Sequence, residues 1–182
     1  MKLLPSDFQI TKYGVTARLV TEDDAEFITK LRADDRLGRY IHASDGDIEK
    51  QKEWTKEYKK REVQGLDYYF IIYKNEEPYA LSRLYNIDWT HLLFTKGSWI
   101  CKYGTEMSFV IASSVITNYI AYDILGLKIN IFDVRKDNTK VLRFHRNIMK
   151  SIQYAETDLD YLFISTPETR RQSKLLQYLE ID

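Results

Sequence analysis

The residues from Gly97 onward combine types and spacing that can bind phosphate. A short strand, Gly97–Cys101, runs into a turn around Gly104 and then into a long apolar helix over about residues 108–125. The first turn of a helix leaves backbone N–H groups without partners, so a strand, a glycine turn and a helix in this order form an anion-binding site. We therefore expect a phosphorylated ligand at this turn.

Two polar side chains follow a second strand, predicted over residues 128–134. Asn138 and His145 are seven residues apart, a spacing that places them on one helix face. An imidazole with an ordinary pKa of about 6.5 can donate a proton at neutral pH. Each residue also has a structural interpretation that stays open. Asn138 can be the N-cap of the helix, and His145, beside a core phenylalanine, can be a packing residue.

As candidate proton acceptors the chain offers Asp88, His91 and Asp133. Asp88 follows Tyr85-Asn86-Ile87 at the end of a predicted strand and is the first choice, with His91 second. The three histidines are far apart in the sequence and lack a clustered cysteine or carboxylate, so the sequence predicts no metal site.

Local signals place these residues on helices and strands. Thr21 and Asp24 form a capping-box-like start, and either Asp45 or Asp47 can cap a second helix. Runs rich in aromatic and β-branched residues on either side of the turn 75–78 predict a hairpin. The predicted elements are helices over about 22–33, 48–62 and 108–125, one opening at Asn138 and one at Thr166 with Leu175, Leu176 and Leu179, and strands over 68–73, 79–87, 94–101, 128–134 and 161–165.

Composition limits the class of protein. A chain of 182 residues suits one domain, here residues 1–182, and 27 basic against 27 acidic residues without a basic block argue against nucleic acid as a partner. Cys101 is the only cysteine, which excludes an internal disulfide and favours a reducing compartment. No uninterrupted apolar run approaches the roughly 20 residues of a membrane span, and the N-terminus lacks a signal-peptide pattern. We expect a cytoplasmic protein that acts on a small molecule.

The order of these elements, with Asn138 just past the second strand, resembles the cofactor-binding half of the GNAT superfamily of acyl-CoA-dependent N-acyltransferases. Residues 18–32 are similar to the opening strand and first helix of its RimJ/RimL-like branch. The segments 37–42, 67–72 and 84–88 resemble members that acetylate amino sugars in polysaccharide biosynthesis. The resemblance covers roughly residues 15–165. It implies a mixed α/β fold, a twisted and mostly antiparallel sheet splayed at its centre with helices on both faces.

The resemblance also implies a reaction, the direct transfer of acetyl from acetyl-CoA to a primary amine without a metal. A backbone N–H near Trp99 would stabilise the oxyanion, and His145 stands where most members have a tyrosine that protonates the CoA thiolate. Cys101 lies on the cofactor strand rather than beside an evident base, which favours direct attack. The expected cofactor residues are Trp99, Ile100, Cys101, Lys102, Gly104, Thr105, Ser108 and Asn138.

The glycine turn departs from the family pattern. Members usually carry Arg or Gln, Gly, and Gly or Ala at the positions of Cys101, Gly104 and Glu106. A carboxylate at the third position would repel a pyrophosphate. Either Glu106 points outward while Lys102, Thr105 and Ser108 supply the donors, or CoA binds weakly.

The acceptor is expected to be a nucleotide-linked amino sugar, contacted by Arg39, Tyr40, His42, Tyr85 and Asn86. A protein N-terminus, a small metabolite amine, and a non-catalytic acyl-CoA-binding module are the alternatives. Neutral net charge does not separate them, and the sequence leaves a homodimer open.

Overall fold

The computed structural model describes residues 2–34, 36–37 and 46–179. The predicted acceptor residues Arg39, Tyr40 and His42 therefore lie outside the described residues. In the described part, eight strands form one sheet in the order β1-β2-β3-β4-β5-β6-β8-β7. The strands are β1 Gln9–Lys12, β2 Val15–Leu19, β3 Tyr68–Lys74, β4 Glu77–Asp88, β5 Leu93–Cys101, β6 Ile129–Arg135, β7 Ile152–Glu156 and β8 Asp160–Ser165.

The described residues form five α-helices, and two of these continue as π-helical turns. Asp47 caps α2 by accepting hydrogen bonds from the N–H groups of Glu49 and Lys50, at 3.0 and 3.1 Å. Of the two predicted caps, the described one is therefore Asp47. The helices are α1 Ala25–Arg32, α2 Ile48–Val63, α3 Met107–Tyr119 with a π turn Ile120–Ile124, α4 Thr139–Arg143 with a π turn Phe144–Met149, and α5 Pro167–Gln172.

The sheet has helices on both faces, as the resemblance implied. The side chains of β3 alternate between two cores: Phe70 and Ile72 pack with Ile116 of α3, whereas Tyr69 and Ile71 pack with helices α1 and α2. The stretch Met107–Ile124 is apolar and long enough to cross a membrane by composition alone, yet 61% of it is buried within the protein, as is typical of a core helix. Burial on both faces explains why β3 reads as an almost continuous apolar run.

The sheet opens between β5 and β6, its one parallel pair among the described strands. These strands are paired only at Leu93↔Ile129 and Phe94↔Asn130, although β5 runs on to Cys101 and β6 to Arg135. Seven further residues of β5 therefore face a gap. Beyond the gap, β6, β8 and β7 form a separate antiparallel half of the sheet.

Two strands and the last helix differ from the prediction. The N-terminal hairpin partner β1 and the edge strand β7 were not predicted, because both are short and neither contains a fully buried residue, so they lack an apolar run. The final helix was predicted to continue through Leu179, but it ends at Gln172, and a separate 3₁₀ turn, Leu175–Tyr178, follows.

Candidate active site

A cavity of about 180 Å³ fills the gap between β5 and β6. It is the natural place for a ligand, because here backbone edges, polar side chains and a volume large enough for several atoms converge. Its walls come from the splayed strands, α3, α4 and the region around α5. The side chains used below are Lys96, Trp99, Ser114, Asn118, Tyr122, Asn130, Asp133, Asn138, His145 and Arg170.

Lys96 lies two residues beyond the last paired position of β5. Its ammonium group donates to Ser114 O at 3.0 Å, Ser114 Oγ at 2.7 Å and Asn118 Oδ1 at 3.0 Å, and its backbone N–H donates to Asn130 Oδ1 at 2.8 Å. Burial in this cavity lowers the pKa of Lys96 to about 7. The side chain of Asn130 thus links β6 to β5 at the closed end of the gap, where backbone pairing between the two strands stops.

His145 lines the same cavity from the π turn after α4. Its ring packs on Phe132 at 4.5 Å between centroids, and its Nδ1 lies 3.4 Å from Ser151 Oγ. Burial, and to a lesser extent the charge of Lys96, lower the pKa of His145 to about 3. The ordinary pKa predicted for this imidazole from the sequence is therefore wrong, because burial keeps the group neutral at neutral pH. Its position supports a role at the reacting centre, and the role itself stays a prediction.

Trp99 and Cys101 bind the same hydroxyl on α3. Trp99 Nε1 donates to Ser113 Oγ at 2.9 Å, and Cys101 Sγ lies 3.6 Å from that oxygen. Burial raises the pKa of the Cys101 thiol to about 11. Ile100 is buried and pairs with Leu81 of β4. The side chains of these predicted cofactor residues therefore fix β5 to the protein, which leaves its backbone edge toward β6 for a ligand.

The turn between β5 and α3 has the predicted glycine geometry. Gly104 has φ +79°, a left-handed conformation that favours glycine. Glu106 is the N-cap residue of α3, and its carboxylate accepts a hydrogen bond from Ser108 Oγ at 2.8 Å. The N–H of Lys102 donates to Tyr79 O at 2.8 Å, and the Thr105 hydroxyl donates to Lys102 O at 2.7 Å.

This geometry selects between the two sequence-based alternatives only in part. The carboxylate of Glu106 is exposed, as one alternative required, but it engages the Ser108 hydroxyl that the same alternative assigned to the ligand. The N–H of Lys102 and the hydroxyl of Thr105 are also bonded within the protein, so neither is free to donate to a ligand. Backbone N–H groups of the first turn of α3 and the exposed Lys102 ammonium are the remaining donors.

Asn138 fills its predicted capping role. Its Oδ1 accepts from the Val141 N–H at 3.3 Å at the start of α4. It also lines the cavity, so the cap orients the side-chain amide beside the ligand space. Because α4 continues as a π turn at Phe144, Asn138 and His145 are not separated by two regular α-helical turns as expected. Both residues nevertheless face the cavity.

A second group of residues lies on the α1/α2 face of the gap. Tyr85 of β4 reaches over Gly97 of β5, and the nearby Asp133 of β6 contributes to raising the pKa of the Tyr85 phenol, after the larger effect of burial. The Arg83 guanidinium lies 4.9 Å from the Tyr85 ring and 5.0 Å from the Trp54 ring. These side chains form a continuous strip from the cavity to α2.

Asp67 fixes the arginine side chains of this strip by hydrogen bonds. Its buried carboxylate accepts from Arg83 Nε at 2.7 Å and from Arg61 Nε at 3.0 Å. Arg61 in turn lies 5.6 Å from the Trp54 ring. We call Tyr85, Arg83, Trp54 and Arg61 the acceptor strip.

The structure does not place Asp88 and His91 at the cavity. Their side chains are 42% and 70% exposed, with Asp88 Oδ2 2.6 Å from His91 Nδ1, in the turn after β4. The hydrogen bond from His91 lowers the pKa of Asp88. This turn adjoins the closed end of the β5–β6 gap, because Asp88 pairs with Leu93, so the expected role as a base lacks geometric support. Asp133, the third candidate, does line the cavity.

Sequence reasoning missed several polar residues of the cavity. Lys96 is the one charged residue of β5, and Ser114 and Asn118 are one turn apart on a helix interpreted as apolar nearly all round. A buried helix with polar residues at i and i+4 indicates a polar contact, and that signal could have found them. Asn86, predicted as an acceptor contact, is exposed at φ +51° in an irregular part of β4. Among the described residues, no group of three or more His, Cys, Asp or Glu side chains is arranged to hold a metal.

Comparison with solved structures identifies the class of protein that this fold and cavity define. The chain is similar to apo FdhC, described as a nucleotide-linked sugar GNAT, at 34% identity and a TM-score of 0.81 over 95% of this chain and 99% of that one. It belongs to the GNAT superfamily and is an acyl-CoA-dependent N-acetyltransferase. The predicted fold and enzyme class are thereby confirmed.

More distant structures share the fold. A ribosomal-protein-S5-alanine acetyltransferase from Vibrio fischeri matches at 14% identity and a TM-score of 0.74, over 88% of this chain and 97% of that one. A variant of the spermidine N-acetyltransferase SpeG from Vibrio cholerae matches at 15% identity and a TM-score of 0.68, over 91% and 98% of the two chains. No protein-family profile matches the sequence, and no curated protein matches it either.

Proposed function

We propose that this enzyme acetylates the amine of a nucleotide-linked amino sugar by direct attack on acetyl-CoA. The observation that carries the proposal is the 34% identity to a nucleotide-linked sugar GNAT over nearly the whole of both chains. The acetyltransferases of proteins and spermidine are only 14% and 15% identical and share the fold alone.

The gap between β5 and β6 fits the donor. GNAT acetyltransferases use acetyl-CoA, whose pantetheine arm carries amide groups along its length. The edge of β5 beyond Phe94 offers backbone groups to those amides, since β6 pairs with only two residues of β5. The first turn of α3 and Gly104 lie at the open end of β5, where the pyrophosphate would meet free N–H groups and the helix dipole.

The protonation of the cavity groups supports direct attack. With its pKa raised to about 11, the Cys101 thiol is neutral at neutral pH and is a poor nucleophile. We assign removal of the amine proton to Asp133, because it is the candidate carboxylate that lines the cavity on the acceptor side. His145 is the predicted donor to the departing thiolate. Its imidazole is neutral at neutral pH, so it would first have to take up the proton that the amine loses through Asp133 and would then donate it to the sulfur.

The charges of the acceptor strip favour an anionic acceptor over a polyamine. Two guanidinium groups, Arg61 and Arg83, share the single carboxylate of Asp67, so the strip carries a net positive charge beside the aromatic faces of Trp54 and Tyr85. Aromatic faces stack on bases and sugars, and guanidinium groups bind pyrophosphate oxygens. A nucleotide-linked sugar presents these three groups together.

Thiol release from acetyl-CoA tests the proposal. We expect turnover with nucleotide-linked amino sugars, little with spermidine and little with a peptide that has a free N-terminus. The matched control is the same sugar nucleotide with a hydroxyl in place of the amine. Preferred turnover of the peptide or of spermidine would support the alternative acceptors instead. Binding of acetyl-CoA without thiol release to any amine would indicate a non-catalytic module.

A further inference from the structure

The cavity extends behind the β5–β6 gap into a polar chamber under α3. A second cavity of about 530 Å³, between α3 and α5, shares the lining residues Asn118, Tyr122 and Arg170 with the first. We call the region around Lys96, Ser114, Asn118 and Tyr122 the inner chamber. The first cavity, of about 180 Å³, also has to take the thioester end of the donor. The adjoining cavity of about 530 Å³ is the space that an acyl group longer than acetyl could enter.

The cation in the inner chamber lacks a counter-ion. The three hydrogen-bond partners of the Lys96 ammonium group are a backbone carbonyl, a hydroxyl and an amide oxygen, and no carboxylate of the described residues bonds it. Asp133 lines the same cavity, but it is an exposed residue and makes no ion pair with Lys96. Burial without an opposite charge disfavours the charged form of Lys96, and an anionic group bound beside it would favour that form and be stabilised in turn.

The amide of Asn118 supplies a free donor beside Lys96, whose three N–H groups are already bonded. Its Oδ1 accepts from Lys96, which fixes the orientation of the amide group, and its buried Nδ2 has no hydrogen-bond partner among the described residues. The residue is 3% exposed, so bulk water does not satisfy this donor. Buried donors without partners are rare in folded proteins, and a ligand oxygen in the chamber would satisfy this one.

We propose that the inner chamber holds the acyl chain of the donor, and that the enzyme prefers acyl-CoA thioesters whose acyl group carries a carboxylate. The carboxylate would pair with Lys96 and accept a hydrogen bond from Asn118, while the thioester stays at the β5 edge. This inference rests on the acyl-CoA half of the proposed function: acetyl-CoA stays a donor, and an acyl-CoA with a terminal carboxylate becomes the preferred one. The bond that breaks and the bond that forms are unchanged, because the carboxylate takes no part in the transfer.

Calorimetric binding without an acceptor tests the inference. Butyryl-CoA and succinyl-CoA have acyl chains of four carbons and differ in the terminal carboxylate. We expect succinyl-CoA to bind at least tenfold more tightly than butyryl-CoA, and Lys96→Met to bring the ratio of the two dissociation constants close to one. Asn118→Leu should reduce the ratio in part. Lys140→Met, at an exposed position of α4, is the control and should keep the wild-type ratio.

Three outcomes would overturn the inference. One is equal affinity of the wild-type protein for the two thioesters, and a second is an unchanged ratio in Lys96→Met. An equal gain for 4-hydroxybutyryl-CoA would also overturn it, because a hydroxyl forms hydrogen bonds without charge pairing. If Lys96→Met does not fold, the wild-type preference for succinyl-CoA must still weaken as the pH is raised from about 7 to about 9, because a neutral amine cannot pair with a carboxylate. Failure to acetylate amino sugars would leave these binding ratios unaffected.

Discussion

The phenol of Tyr85 lies over the backbone of Gly97. A Cβ added to Gly97 would come within 2.9 Å of Tyr85 Oη and 3.0 Å of Tyr85 Cε1, which is closer than carbon contacts normally allow. The residue pairs in β5 with Arg83 of β4, so the missing side chain lets the ring cross from one strand toward β6. The glycine is thus required by the position of the ring and not by a turn.

Gly97→Ala is therefore expected to displace the Tyr85 ring from the mouth of the cavity. Because the displaced atom is the far end of a side chain, the fold should persist, and the Michaelis constant for the acceptor should rise about tenfold. Steady-state kinetics with varied acceptor measures this. In the Tyr85→Ala background the same glycine change should have little further effect. A full additional loss in that background would show that Gly97 acts through the backbone.

Glu106→Gln should tighten the binding of CoA. The change removes a negative charge at the start of α3, where the pyrophosphate is expected, and keeps the shape of the side chain that accepts from Ser108. We expect a gain of roughly threefold to tenfold, or about 1 kcal/mol, that shrinks as salt is added. Calorimetry measures it, and Glu77→Gln at an exposed position of β4 is the control. Unchanged affinity would place the pyrophosphate elsewhere.

Cys101 should carry no acyl group at any stage of the reaction. Burial raises the pKa of its thiol to about 11, so the thiolate population at neutral pH is very small. Intact-protein mass spectrometry after mixing with acetyl-CoA, with and without the acceptor, should show the unmodified mass. An acetyl adduct that forms and decays at the rate of turnover would contradict direct attack.

His145→Phe should lower kcat about 100-fold or more while the affinity for acetyl-CoA changes by only a few fold. The replacement keeps an aromatic ring on Phe132 and removes the nitrogen atoms. His145→Tyr should recover part of the loss by restoring a hydroxyl donor. The exposed His91→Phe is the matched control. A kcat close to the wild-type value in His145→Phe would make the residue structural.

The stability of the protein should depend on His145 in mildly acidic solution. Its pKa is about 3 when folded against 6.5 when unfolded, so between these values the unfolded chain binds more protons. The free energy of unfolding therefore falls as pH drops from about 6.5, and the loss continues toward pH 3. Urea unfolding at pH 7, 6, 5 and 4 should give a flatter profile for His145→Phe than for the wild type. Parallel profiles would show that the imidazole is not buried in its neutral form.

Much of the fold could be predicted because its signals are local. The capping residue Asp47, the left-handed glycine at Gly104 and the cap Asn138 each act within a few residues of the chain. The apolar positions of β3 and α3 also predicted that these two elements are buried in the core. The cavity residues that follow Gly97 could also be predicted, because the order of strand, turn and helix determines which end of β5 borders the ligand site.

The rest depends on neighbours that are distant in sequence. The pKa of His145 follows from burial beside Phe132 and Phe163, and that of Lys96 from burial under α3, neither of which a spacing pattern reveals. Asp88 fits the end of a strand equally well in sequence, but the antiparallel register places that end at the closed side of the gap. Which end of a strand borders a cavity is a property of the whole sheet.

The two residue pairs that join β5 to β6 are also the seam between the two halves of the sheet. A pantetheine arm laid along β5 would act as an additional strand and carry the hydrogen-bond ladder past Phe94. Amide protons on that edge should then exchange with deuterium quickly in the free enzyme and slowly in the complex, whereas those that pair β4 with β3 should change little. In such a complex the substrate itself would complete the sheet of the enzyme.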